Sequence, residues 1–247
     1  LESSVLKKAY DRWSAGRTPP VPRAERAERT PLGELLGLRP DVVEEFATLG
    51  NRVDLALSGA SRRSVLVGGP VRRTGASTVA IGLAATLATT SQASTLLVDA
   101  NLRHPGLHEK FGIERHPGLT DLVRGEVTGA QAIRQTAVPG MHLLTSGSPE
   151  EGPQGFFRSA EFREHLDRWT GEYAYVIIDS APFGAVAEPM SLAQSVSGVV
   201  LVVEAARTAR EVAAGLVDTM RESGVRVLGA VLNKRKFYIP EWIYRRV

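Results

Sequence analysis

Cysteine is absent from the 247 residues. Disulfide frameworks, zinc fingers, iron–sulfur clusters and thiol nucleophiles are therefore excluded, and any chemistry falls to oxygen, nitrogen or a bound ion. Lysine is scarce: of 30 basic residues only Lys7, Lys8, Lys110, Lys234 and Lys236 are lysines, which leaves 25 arginines and no ammonium between Lys8 and Lys110. Long apolar runs are missing too. Val199 to Val203 is among the longest, far short of the ~20 residues of a spanning helix, and no signal-peptide pattern opens the chain, so a soluble chain is expected. It begins at Leu1, as a processed product or a piece of a longer polypeptide does. The net charge of +3 is too small to separate a nucleic-acid binder from a membrane-surface or ordinary cytoplasmic protein.

The length and the 43% hydrophobic content suit one large domain with a modest extension. Residues 4–13 place Val5, Leu6, Ala9, Tyr10 and Trp13 on one stripe of a short amphipathic helix. Residues 14–40 scatter Pro19, Pro20, Pro22, Pro31 and Pro40 among arginines and glutamates, which reads as a semi-extended linker. The division expected is an N-terminal helix and linker over 1–40 and a single domain over 41–247. A helix is expected over 41–57. After it, apolar runs alternate with helical segments: Ser64–Gly68, Thr95–Asp99, Met141–Thr145, Tyr175–Asp179, Val199–Glu204 and Val227–Asn233. Continuous hydrophobicity in such runs suits parallel strands covered on both faces, so the expected fold is α/β, a doubly wound and mainly parallel sheet. Sheets of this kind bind ligands beyond the carboxyl ends of their strands.

The first run leads into Gly68-Gly69-Pro70-Val71-Arg72-Arg73-Thr74-Gly75-Ala76-Ser77-Thr78 and a helix over 76–89. A strand, a glycine-bearing loop and a helix N-terminus make an anion cradle, because free N–H groups and the helix dipole converge there. Against the frame G-x-x-x-x-G-K-[ST], Pro70 stands at the first glycine, Gly75 at the second, Ala76 at the lysine and Ser77 at the magnesium-binding hydroxyl. Tight packing alone also produces glycine-rich turns. Two further runs end in carboxylates, Asp99 and Asp179. In a P-loop fold such acids hold magnesium or orient an attacking group, although a strand-end aspartate also serves as a simple turn cap.

Three segments carry a resemblance: Leu96-Leu97-Val98-Asp99-Ala100-Asn101-Leu102-Arg103-His104-Pro105-Gly106-Leu107-His108, Gly118-Leu119-Thr120-Asp121-Leu122-Val123-Arg124-Gly125, and Tyr173-Ala174-Tyr175-Val176-Ile177-Ile178-Asp179-Ser180-Ala181-Pro182. Over residues 41–247 the chain resembles the bacterial tyrosine kinases (BY-kinases) that accompany polysaccharide co-polymerases, relatives of the partition and septum-site ATPases. The first segment is similar to the family's second Walker A motif. The resemblance implies a site for ATP or ADP with Mg²⁺ across the loop of Arg72, Arg73, Gly75, Ala76, Ser77 and Thr78, with Ser77, Asp99 and Asp179 as magnesium ligands. It implies Asp99 and Asp179 as catalytic acids with Arg103 in the same motif, and Asn233 as a contact to the base. It also implies phosphorylation between subunits at C-terminal tyrosines, for which Tyr238 and Tyr244 are the acceptors. Those two suit an aromatic tail packed on the domain equally well.

Three departures from the family pattern bear on activity. Ala76 removes the phosphate lysine, a loss of preorganised charge that costs ~10²–10³ in rate, although Arg72 and Arg73 remain in the loop. Ala47 and Gly50 replace the two arginines of the Glu-x-x-Arg-x-x-Arg pattern used for ring assembly. Asn101 stands where many members carry a second aspartate. The expected function is a BY-kinase-like protein with impaired phosphotransfer and with nucleotide binding weakened or lost. It would act as a regulator or scaffold in exopolysaccharide synthesis and export, in the cytoplasm at the inner membrane, with a polysaccharide co-polymerase as partner. An active autokinase and a partition-type ATPase binding nucleic acid or membrane are the alternatives. A homo-oligomer is compatible with the family, and a nucleic-acid partner is not expected. His104 and His108, four apart, are separated by Pro105 and Gly106, which argues against one helical metal-binding face.

Overall fold

The computed structural model describes residues 33, 36–90, 93–150, 153 and 155–235. The segment 4–13, nearly all of the linker, and Tyr238 and Tyr244 lie outside the described residues.

A helix α1 (Pro40–Ala56) precedes strand β1 (Ser64–Gly68). The chain then alternates through α2 (Ala76–Thr90), β2 (Thr95–Asp99), α3 (Leu107–Phe111), α4 (Leu119–Val123), α5 (Gly129–Ala132), β3 (Ile133–Gln135) and β4 (Met141–Leu144). It ends with α6 (Ala160–Glu172), β5 (Tyr175–Asp179), α7 (Glu188–Ala193), β6 (Gly198–Glu204), α8 (Arg210–Glu222) and β7 (Val227–Asn233). The seven strands form one sheet in the order β3-β4-β2-β5-β1-β6-β7. Every neighbouring pair is parallel except β3–β4. The fold is therefore the expected doubly wound α/β sheet. The antiparallel edge strand β3 was not anticipated: three partly exposed residues show neither alternation nor a buried run.

β1, β2 and β5 are buried at every position, which explains their uninterrupted hydrophobicity. One face of the sheet is covered by α2, itself sealed by α1. Val79 through Ala88 of α2 are all buried, so this helix is apolar on every side, as a helix sandwiched between a sheet and another helix must be. The close approach depends on small residues. A Cβ on Gly82 would lie 2.2 Å from the Phe46 ring, and one on Gly50 would lie 3.0 Å from Thr86 Cγ2. Gly50, one of the two ring-assembly positions, thus faces the α1–α2 seam. The opposite face carries a second core in which Phe156, Phe157, Phe162 and Trp169 meet in mostly edge-to-face contacts. No helix among the described residues is long and apolar enough to cross a membrane.

Candidate nucleotide site

β1 and β5 are central neighbours, and β2 lies on the far side of β5, so three loops emerge side by side at the carboxyl edge. The loop after β1 returns into α2 through Gly75 at φ +90°, and the helix opens with the Val79 N–H donating to the Gly75 carbonyl. Glycine is required at 75. Besides its left-handed φ, a Cβ there would lie 2.1 Å from Asn233 Nδ2. Arg73 also takes a positive φ of 64°. The fifteen-residue α2 aims its N-terminus at a cavity of about 330 Å³ lined by Arg72, Arg73, Gly75 through Thr78, Asn101, His104, Lys110 and Ser180.

The two strand-end acids face each other, since Asp99 and Asp179 are partners in the β2–β5 register. Asp99 is fully buried and holds the following loop: Oδ1 accepts the Asn101 N–H at 3.2 Å, and Oδ2 accepts those of Gly106 and Leu107 at 3.1 and 3.0 Å. Burial raises its pKa above the ordinary carboxylate range in spite of these three donors. Asp179 is 1% exposed, with the Ser77 side chain hydrogen-bonded to it and its Oδ1 buried without a partner among the described residues. Burial first, and then the Asp99 charge, push Asp179 up to about 8, against the opposing pull of Ser77 and Lys110. Near neutral pH the site therefore holds a proton on this carboxyl. Magnesium fits the donor set, because the Ser77 hydroxyl and the orphaned Asp179 oxygen are adjacent hard oxygen ligands. Asp99, expected as a third ligand, instead has both oxygens engaged by backbone donors.

Two other expected site residues sit differently. Arg103 turns away from the cradle: its Nε and Nη2 donate to Oε1 of Glu188 at 3.1 and 2.6 Å, locking the β2 loop to the first turn of α7. The buried carboxylate of Glu188, with Oε2 unpartnered, draws the guanidinium in. Asn233 does not present its amide to a base. Nδ2 donates to the Thr74 carbonyl at 2.8 Å and Oδ1 accepts the Lys234 N–H at 2.8 Å, so the end of β7 pins the phosphate loop. Arg72 remains at the cavity, with Nη1 2.8 Å from His104 Nε2. A guanidinium only donates, so His104 Nε2 is the acceptor of this contact.

A wider cleft of about 430 Å³ lies at the β3–β4 edge between His142, His165, Trp169 and Tyr173. Glu172 is the one carboxylate lining it.

No family model matches the chain. Over 191 residues it is 29% identical to "Tyrosine-protein kinase ptk" of Acinetobacter johnsonii, covering 77% of this chain and 26% of that protein. The chain is a relative of the bacterial tyrosine kinases. A second match, over 193 residues, is 29% identical to "Tyrosine-protein kinase YwqD" of Bacillus subtilis and covers 78% of this chain and 81% of that one. The crystal structure of the chimerical protein CapA2B2 superposes with a TM-score of 0.77 at 25% identity, over 83% of this chain and 90% of that one. The chain spans about a quarter of the length of ptk and most of the length of YwqD. Within this BY-kinase relative Asp99 and Asp179 end β2 and β5, neighbouring strands of the sheet. Lys110, Glu188 and Lys234 were not anticipated, because each reaches its place through the packing of a separate element.

Proposed function

We propose that this BY-kinase relative binds a magnesium nucleotide in the cradle of α2, transfers phosphate poorly, and serves as a regulator or scaffold in exopolysaccharide synthesis and export. The observation that carries the reading is the combination of an intact cradle and carboxylate pair with Ala76 at the first residue of α2. Ser77 and Asp179 would hold magnesium, which when bound neutralises charge on the phosphate oxygens. Backbone N–H groups of the loop would receive the phosphates, and Asp99 would keep the second loop in position. The methyl of Ala76 supplies no charge where the transferred group develops it, and this favours retained binding over transfer. Residues 41–247 would form the domain, with 1–40 as the tether to a polysaccharide co-polymerase at the cytoplasmic face of the inner membrane.

Calorimetry of the full chain with ADP and a non-hydrolysable ATP analogue, with and without Mg²⁺, tests the binding half of this reading. Magnesium-dependent binding is expected, and failure of both nucleotides to bind sinks it. Incubation with labelled ATP tests the other half. Robust labelling of Tyr238 or Tyr244 in the unmodified chain would establish the autokinase reading in its place.

A further inference from the structure

We propose that Lys110 supplies, from α3, the ammonium that the phosphate loop lacks at Ala76, and that this makes the cradle prefer a nucleoside triphosphate to a diphosphate. The inference rests on the nucleotide reading above and adds the residue that senses the terminal phosphate.

Lysine is so scarce that the two within the described residues, Lys110 and Lys234, can be followed individually. Lys234 is committed: its ammonium donates to the Arg73 carbonyl and lies 3.3 Å from Glu204 Oε2. Lys110 lines the same cavity as Ala76, Ser77 and Thr78, and its ammonium has neither a hydrogen bond nor an ion pair among the described residues. Its charge is felt at Asp179, the acid hydrogen-bonded to Ser77, where it opposes the upward push of burial.

The position of Lys110 is determined by the site itself. The N–H groups of Gly106 and Leu107, at the start of α3, are held by Asp99 Oδ2, and the Leu107 side chain is fully buried. The short helix closes at Gly112 in the left-handed conformation, with the Ile113 N–H donating to the His108 carbonyl. Asp99 thus anchors the element that presents the cation. An ammonium on a four-carbon stem delivers a compact point charge, which suits a terminal phosphate. The loop arginine nearest to an alternative role, Arg72, is already donating to His104.

The test compares the full unmodified chain with Lys110→Ala, Lys110→Gln and the double variant Lys110→Ala/Ala76→Lys, titrated by calorimetry with Mg²⁺ and either ADP or a non-hydrolysable ATP analogue. Removing one charge-assisted contact is expected to weaken the triphosphate analogue about 10–100-fold and ADP by less than about threefold. Lys110→Gln, which keeps the stem, should behave like Lys110→Ala, and the double variant should recover most of the lost affinity. If the unmodified chain binds nucleotide and both single variants keep the analogue within about twofold, the Lys110 assignment is overturned while the nucleotide reading stands. Equal losses for ADP and the analogue, or no recovery in the double variant, also overturn it. If the unmodified chain binds neither nucleotide, the nucleotide reading itself fails and the assignment falls with it.

Discussion

The acids and the cations of the candidate nucleotide site are held by different means. Asp99 and Asp179 are the last residues of β2 and β5, set beside each other by a parallel register. On the cation side α2 opens with Ala76, and the positive groups that line the cavity come from other positions: Arg72 and Arg73 from the loop and Lys110 from α3. An acid at a strand end is positioned by the sheet ladder and tolerates little relocation. A cation on a long flexible stem reaches the same cavity from several elements, so its loss at one position is not the loss of charge from the site.

Restoring the cation at its usual place should give the largest change. With labelled ATP and Mg²⁺, Ala76→Lys is expected to raise phosphate incorporation at Tyr238 or Tyr244 by ~10²–10³ over the unmodified chain. An unchanged rate would mean that Ala76 is not what limits transfer. The next effect lies with the strand-end acids. Asp179→Asn should remove most of the magnesium-dependent gain in nucleotide affinity, yet stabilise the free protein. The buried carboxyl keeps its proton up to about pH 8, whereas an unfolded aspartate releases it near ~4. Its contribution to stability is therefore fully present below about pH 4 and is lost as the pH rises through about 8. The variant should melt about 3–8 °C above the parent at pH 8, with the gap shrinking towards pH 5. A gap that widens towards acid pH would contradict the raised carboxyl.

Two smaller effects separate positioning from contact. Arg103→Ala should leave nucleotide affinity within about twofold. It should also lower Tm by about 3–8 °C, because it strands the buried Glu188 carboxylate, with the cost reduced by the partial exposure of the guanidinium. A large loss of affinity would return Arg103 to the binding site. Asn233→Ala should cost only about two- to fivefold in affinity for ADP and the analogue alike, as a loop loses one hydrogen bond of about 1 kcal/mol. Selective loss of adenine over other bases would restore the base contact expected from the sequence.

Much of this was legible residue by residue. The uninterrupted Val-Leu-Ile runs disclosed β1, β2 and β5 because burial on both faces leaves polar residues only at the strand ends. Gly75-Ala76-Ser77-Thr78 disclosed the start of α2 because a loop-to-helix transition at an anion cradle needs a left-handed glycine and a hydroxyl. The edge strand β3 left no such mark, being three residues long and half exposed. Arg103 was expected in the site because the family resemblance puts it in the same motif as Asp99. Its guanidinium is claimed by Glu188, 85 residues later. Asn233 was expected at a strand end and stands there, but a primary structure does not say that its amide is consumed by the Thr74 carbonyl.

The sequence by itself determined the strand ends, the glycine turn, the two strand-end acids and the alanine at position 76, since each depends on residue type within a short window. The tertiary structure alone decided which cations reach the cleft and which polar groups are already satisfied. Those outcomes depend on distances between segments tens of residues apart, fixed by how α3, α7 and β7 pack on the sheet. The scarcity of lysine is a property of the composition. That Lys110 nevertheless stands in the cavity is a property of the fold.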